Sequence, residues 1–297
     1  MFTAPKVLKL SLCLLSLAVC LSAADRGKRP LDVGEHDTIF THVAAGSGWT
    51  TTIKLVNVWA GTPPDPNPTV ELRFYNDNGD PWKVQLSDGK TSQSTAHYTA
   101  PIPVFNGSIS IDVLGSSDVD SNNKPIITGW AELIYNWDDS VIGGLAVFRY
   151  NTSQIRHDNS SDWEATVNVS ANNNSSGFAL VFDETVISNL RSDVANTQLG
   201  AGLALANPDT TTTTITVHAW DEAGAPLVLD SAGDTSDVFT LAGKGHLSFM
   251  LASKYPSLKG KRGILQFTTD NSQDLAGLGL RVNPTGSVSS LHTLTYY

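Results

Sequence analysis

The chain has 297 residues, enough for two ordinary domains or one large sandwich, and is 40% apolar with only 16% charged residues. Gly, Ser, Thr, Asn and Pro abound, which fits a many-turned β protein and argues against a coiled coil or helical bundle. Acidic residues outnumber basic ones 29 to 19, so the surface repels phosphate backbones, and neither nucleic acid nor an anionic membrane is an expected partner.

Residues 1–24 carry Lys6 and Lys9, then an apolar run from Val7 to Leu21, then Ser22-Ala23-Ala24. A basic start, a short apolar core and small residues at the last and third-last positions predict a secretory signal peptide cleaved after Ala24. The run is short of the roughly 20 residues that a bilayer span needs, and no later stretch is apolar enough to insert once the signal is gone. Losing Lys6 and Lys9 leaves 17 basic against 29 acidic residues, a net charge near −12. Leu17-Ala18-Val19-Cys20 offers a minor lipoprotein alternative through Cys20. Both cysteines, Cys13 and Cys20, fall in this segment, so the mature chain has no disulfide, thiolate nucleophile or Cys-ligated metal. The expected location is secreted, periplasmic or at the cell surface.

Residues 25–35 form a polar leader. Thr38 to Val43 opens the strands, followed by Gly48 to Asn57, in which Ile53 and Leu55 alternate with Thr52 and Lys54. The Pro-rich stretch Gly61 to Pro68 is a loop, because four prolines cannot donate to a ladder. Val70 to Tyr75 alternates cleanly, and Asn76 to Pro81 turns the chain back into Trp82 to Leu86, a hairpin pattern around Gly79. The same design returns later. Gln198 to Asn207 matches the strand ending at Asn57. Ile215 to Trp220, the turn Asp221 to Pro226 and Leu227 to Leu229 match the hairpin. Ser108 to Val113 is answered by His246 to Leu251, Gly129 to Ile134 by Gly263 to Phe267, and Gly144 to Asn151 by Ala276 to Asn283. Helical signals are confined to Ser188 to Asn196 and Leu251 to Leu258, with Pro256 limiting the second.

This gapped repeat predicts an all-β chain of two tandem antiparallel β-sandwiches, Ig-like or jelly-roll-like, spanning 36–157 and 158–297. Glu164 to Phe182 can complete either unit, which leaves two placements of the junction. The chain resembles a group of secreted bacterial proteins that pair a Phe-x-His…Gly-Trp-x-Thr-x-Ile-x-Leu-x-Asn module with a Gly-x-Ala-x-Ala-Asn-Pro module. The matching residues are Phe40-Thr41-His42, Gly48 to Asn57, Glu164-Ala165, Gly202 to Pro208 and Gly277 to Asn283. The resemblance implies paired sandwiches outside the cytoplasm and no known activity, since its motifs are structural rather than catalytic. Val58-Trp59 replaces the proline after Asn57.

Candidate sites are sparse. Asp77, Asn78 and Asp80, and separately Asp118, Asp120 and Asn122, resemble the start of a calcium loop. Neither has the bidentate glutamate that such a loop carries at its twelfth position, and Asp and Asn are also the default turn residues. Calcium is the sole cofactor considered, and none is required. Trp59, Trp82, Trp137 and Trp163 flank turns or polar stretches and are the candidates for an exposed sugar-stacking platform. Trp49, Trp130 and Trp220 fall in strand patterns and read as core. Glu132, Asp138, Asp139 and Glu164 offer carboxylates for glycoside hydrolysis with nothing to fix their spacing. His157-Asp158 is a dyad in a polar linker. Arg149 and Arg281 close matching strands, where a charge pins an edge. No catalytic pattern emerges. The expected function is an exported, non-catalytic structural or adhesive module that binds an extracellular protein or a surface. The alternative is a carbohydrate-binding or glycosidase accessory module, with calcium as a stabiliser.

Overall fold

Burial with a period of two runs through the strands that the sequence marks. Val70, Leu72 and Phe74 point inward from one strand, and Ile215, Val217 and Ala219 from its later counterpart. A computed structural model describes residues 38–46, 48–57, 69–103, 107–115, 126–135, 142–150, 163–171, 175–187, 198–270, 274–284 and 288–296. All of them lie in one compact unit, Val33–Tyr297. The segments expected to be signal peptide and leader, and the expected helix at Ser188 to Asn196, lie outside the described residues.

The first half runs β1 Thr38–Ala45, β2 Trp49–Asn57, β3 Thr69–Asn76, β4 Val84–Ser87, β5 Ser92–Thr95, β6 His97–Pro101, β7 Ser108–Gly115, β8 Ile127–Tyr135, β9 Ile142–Tyr150, β10 Trp163–Asn168 and β11 Ser170–Ala171. The second half runs β12 Gly177–Asp183, β13 Gly200–Ala206, β14 Thr213–Asp221, β15 Ser236–Leu241, β16 His246–Met250, a short helix α1 Leu251–Lys254, β17 Arg262–Thr269, β18 Ala276–Val282, β19 Val288–Leu291 and β20 Thr293–Tyr296. A single 3₁₀ turn, Pro256–Leu258, follows α1, with the proline at its start as expected.

The sheets are ordered β11-β1-β8-β3-β6, β10-β9-β2-β7-β4-β5, β15-β14-β17-β12-β20 and β16-β13-β18-β19, and every pairing is antiparallel. In the first sandwich β1 pairs with β8, β2 with β7, β3 with β6 and β4 with β5. That is a long hairpin rolled across two sheets, the jelly-roll connectivity. The second repeats it as β12 with β17, β13 with β16 and β14 with β15, without an equivalent of β4 and β5. The remaining strands also correspond: β9 and β10 to β18 and β19, and β11 to β20. The internal repeat is therefore one of topology as well as sequence. Pairing assigns β10 and β11 to the first sandwich, so the change of unit falls between Ala171 and Gly177, later than 157/158.

Three details explain the repeated motifs. Asn57 and Asn207 end equivalent strands, and both are fully buried. Their backbone N–H groups donate to Gly107 O and Gly245 O at 2.8 and 3.0 Å. The Asn207 side-chain amide donates to Thr211 O at 2.8 Å and Ala242 O at 2.9 Å, and the Asn57 amide to Pro103 O at 3.2 Å. An amide at this corner satisfies loop carbonyls that burial cuts off from water. The two turns also agree. Asn76 Oδ1 accepts from the N–H of Asn78 and Asp80, as Asp221 Oδ1 does from Ala223 and Ala225. Gly79 and Gly224 take φ of 88° and 81°.

Two expectations need correction. The turn after β3 does not lead into a long hairpin. Only Pro81 and Trp82 pair back, to Tyr75 and Phe74, and β4 then joins the opposite sheet beside β7. The match of Arg149 with Arg281 is one residue out of register. Leu55 faces Gly144 and Leu205 faces Gly277, which aligns Arg149 with Val282. A one-residue slip changes the face. Arg149 pairs with Glu164 on the neighbouring strand at 2.7 Å, whereas Arg281 reaches across to Asp183 on β12 at 3.9 Å.

Candidate functional site

Strand β13 alternates large and small side chains instead of apolar and polar ones, because both of its faces are covered. Ala201, Leu203 and Leu205 enter the core of the second sandwich. On the other face lie Gly200, Gly202, Ala204 and Ala206. Ala204 and Leu278 join the core of the first sandwich, while Ala206 and Ala276 close on Ile39 and Trp130 with Tyr75 alongside. Side chains this small let the sheet lie against β1 and β8 at close range. The turn at Gly79 shows how near the contact is: a Cβ there would sit 2.1 Å from Gly243 O.

This joint holds a buried polar network. Trp130 Nε1 donates to Lys244 O at 2.7 Å. The Lys244 ammonium meets the Glu132 carboxylate, which is 1% exposed, and also donates to Pro208 O. It lies 5.6 and 5.7 Å from the Tyr75 and Trp130 ring centres, within cation–π range. Tyr75 Oη donates to Glu132 Oε2 at 3.0 Å. Burial, then the neighbouring Glu132 charge, pushes the Tyr75 phenol well above its ordinary range, so it stays a donor. Among the described residues Lys244 is the single non-glycine with a positive φ, 57°. Its place between Gly243 and Gly245 lets the backbone turn tightly beneath Trp130.

Beside the joint, His246 Nδ1 lies 2.7 Å from Asp77 Oδ1, and His246 Nε2 lies 3.1 Å from His42 Nδ1. The two imidazoles stack at 5.2 Å, and His42 also touches Phe148 at 5.5 Å. Burial, reinforced by His246, pulls the His42 pKa down to about 3, so the ring is neutral near pH 7. His42 borders a cleft of about 470 Å³ between the sandwiches. Trp49, Ile126, Met250, Leu278, Leu280 and Val288 line it. Gly202 and Ala204 form its floor, Thr128 and Ser248 also line it, and among the described residues no Asp, Glu, Lys or Arg does.

The residues singled out from sequence are placed differently. Trp82, expected at the surface, is 9% exposed. Its N–H donates to Phe74 O at 2.8 Å, which turns the indole into the space left by Gly129, where a Cβ would sit 2.7 Å from the ring. Trp163 pairs with Tyr150 through its backbone in β10, and its side chain lies outside the described residues. Trp59, Trp137, Asp118, Asp120, Asn122, Asp138, Asp139 and His157-Asp158 also lie outside them. Asp77, Asn78 and Asp80 share the turn capped by Asn76, and the Asp77 carboxylate is spent on His246 and the Thr128 hydroxyl. Among the described residues no three His, Cys, Asp or Glu side chains gather to hold a metal. Glu132 and Glu164 do not form a carboxylate pair, since one binds Lys244 and the other Arg149. Trp130 is fully buried, but in the joint and not inside a sandwich; Trp49 borders the cleft, and Trp220 is half-buried. The relay of His42 and His246 escaped notice in the sequence because its members are 204 residues apart. Its one trace is the Phe40-Thr41-His42 motif.

The fold and joint define a tandem jelly-roll-like β-sandwich protein. No protein-family profile matches the chain, and no curated protein matches it. Among solved structures it shows a likeness to a biofilm-associated protein B domain, at 8% identity over 86% of each chain and a TM-score of 0.17. A second likeness is to the partial N-terminal region of an enterococcal surface protein, at 10% identity over 89% of this chain and 95% of that one, with a TM-score of 0.19. At such scores neither likeness bears on function. No helix among the described residues is long and apolar enough to cross a membrane.

Proposed function

We propose that the chain is an exported, non-catalytic structural or adhesive module that docks another protein on the outer face of the sheet β15-β14-β17-β12-β20. One observation carries this reading. The equivalent face of the first sandwich, bearing Ile39, Tyr75, Trp130 and Glu132, is the one that receives the small-residue face of β13 and β18. Register places Ala179, Trp220, Ile264 and Gln266 at the same positions of the second sandwich, where the face is open. Val181 is 61% exposed, Ile264 44% and Leu294 60%. Val181, Ile264 and Trp220 form a row across three strands, with the Arg262–Glu222 ion pair at its margin. A flat apolar row with a polar rim is the anatomy of a docking surface. The occupant it fits is a protein presenting a sheet face of small residues, as β13 does within this chain. The signal-like segment at residues 1–24 supports export.

Retention of labelled mature protein on envelopes of the producing cells tests the proposal. Retention should disappear after protease treatment of the envelopes and in the variant Val181→Lys with Ile264→Lys, whose melting temperature should match the parent because both side chains already face solvent. Retention that survives both treatments overturns the reading. Loss on glycan oxidation in place of proteolysis moves it to the carbohydrate-binding alternative.

A further inference from the structure

The open face of the second sandwich differs from the covered face of the first at the points that hold Lys244. In the joint, the Glu132 carboxylate meets the Lys244 ammonium, Trp130 Nε1 donates to Lys244 O at 2.7 Å, and the Tyr75 hydroxyl donates to Glu132 at 3.0 Å. The strand registers give the counterparts of these three residues. Tyr75 faces Trp130 and Arg73 faces Glu132 on β3 and β8, as Trp220 faces Ile264 and His218 faces Gln266 on β14 and β17. Trp220 thus stands for Tyr75, Ile264 for Trp130 and Gln266 for Glu132. The carboxylate, the hydroxyl and the indole N–H are each missing from the place where they hold the lysine loop.

The rest of the face follows the same rule. Glu71 and Arg73, which pair at 2.8 Å on the first face, become Thr216 and His218. From Thr214 to Trp220 on β14 and from Ile264 to Thr268 on β17, no outward position holds an acid, a lysine or an arginine. Charged groups stand at one end, in Arg262, Glu222 and Asp183. The core of a protein interface is depleted of charge in this way. A lysine brought onto this face as Lys244 is in the joint would lose its water with only the Gln266 amide to receive it. A buried ion without its counter-charge is strongly unfavourable.

We infer that the open face selects its protein partner by charge: it accepts a small-residue sheet face with a neutral loop opposite Gln266, and refuses one that brings a lysine there. This selectivity rests on the docking role proposed for that face and adds the partner's chemistry at one point. A Gln amide both donates and accepts, so a main-chain N–H, a C=O or a hydroxyl on the partner satisfies it. A second copy of this chain is refused. Its β13 and β18 face comes with Lys244 and already covers its own first sandwich. Its β2 face is no substitute, because Thr52 and Lys54 stand where β13 has Gly202 and Ala204.

Inserting a charge of either sign at Gln266 tests this on the full mature chain, with envelopes of the producing cells as the probe and protease-stripped envelopes as background. Gln266→Glu and Gln266→Lys should each raise the concentration for half-maximal retention by roughly tenfold or more, because either charge is stranded against a neutral loop. The same two changes at Gln93, exposed on β5 of the first sandwich, should leave retention as it is. Tighter retention of Gln266→Glu means that the partner brings a cation, and tighter retention of Gln266→Lys that it brings an anion. Either result overturns the inference, as does retention left unaltered by either change, or an equal fall at Gln93. Should a Gln266 variant melt below the parent, the same charges at His218, which faces Gln266 across the ladder, decide in its place. A parent chain that is not retained at all defeats the docking role and this selectivity together. A retained parent with an indifferent Gln266 defeats the selectivity alone.

Discussion

An imidazole largely packed away from water prefers to be neutral, and half-buried His42 shows the consequence for stability. Folding lowers its pKa from about 6.5 to about 3, through burial first and the adjacent His246 second. The unfolded chain thus binds more protons than the folded one between those values, and stability falls as the pH drops through that window. Above about pH 6.5 the contribution is fully present. At ~1.4 kcal/mol per unit, the loss by pH 3 amounts to several kcal/mol. Urea unfolding at about pH 7.5 and about pH 4 should show a clear fall in midpoint for the parent chain. In His42→Phe that fall should be smaller by a few kcal/mol. Matching pH profiles for the two proteins would mean that the ring is not excluded from solvent. The groups nearest to it, His246 and then Asp77, come from the second sandwich and from the turn after β3. No local sequence pattern joins these three residues, so the relay could be seen only once the chain was folded.

At the scale of elements, the same turn occurs twice in different surroundings, which separates its conformational cost from its packing. Gly224, at φ 81°, has open space around it, whereas a Cβ on Gly79, at φ 88°, would meet Gly243 O at 2.1 Å. Gly224→Ala should cost about 1–2 kcal/mol, the ordinary penalty of a left-handed alanine. Gly79→Ala carries that penalty and also wedges the two sandwiches apart, adding roughly 1–3 kcal/mol. Equal losses in thermal unfolding would show that the joint yields freely at this turn. Strands were the legible part of the sequence, because alternation at β3, β14 and β2 reports which face is buried. The turn at Asn76 to Pro81 was legible for the same local reason. What followed it was not. Trp82 to Leu86 alternates as a hairpin partner would, yet the chain crosses to the other sheet, a choice set by which core receives Val84 and Leu86. The Arg149 and Arg281 match failed through the strictness of the period. Identical residues one place out of register lie on opposite faces, and only the pairing of Leu55 with Gly144 and Leu205 with Gly277 reveals it.

For the whole molecule, the sequence reads as two copies of one unit, and the coupling between them was hidden. Its chief members, Glu132 and Lys244, are 112 residues apart. The one hint was the run of Gly and Ala on the outer face of β13, which a single-sided sheet would fill with polar residues. Because Glu132 is 1% exposed, its charge depends on the Lys244 ammonium and the Tyr75 hydroxyl for compensation. The parent chain should therefore unfold in one cooperative step, with near-ultraviolet circular dichroism from the joint aromatics tracking the calorimetric peak. Lys244→Met strands a buried carboxylate, at a cost of about 3–5 kcal/mol. That loss falls on the contact between the sandwiches and leaves each core untouched. The variant should accordingly split into two transitions, the second sandwich melting apart from the first. Adding Glu132→Gln removes the stranded charge and should restore much of the loss and the single peak, since Tyr75 can still donate to the amide oxygen. Two peaks in the parent chain, or a single unshifted peak in Lys244→Met, would show that the sandwiches are joined by the covalent chain and little else.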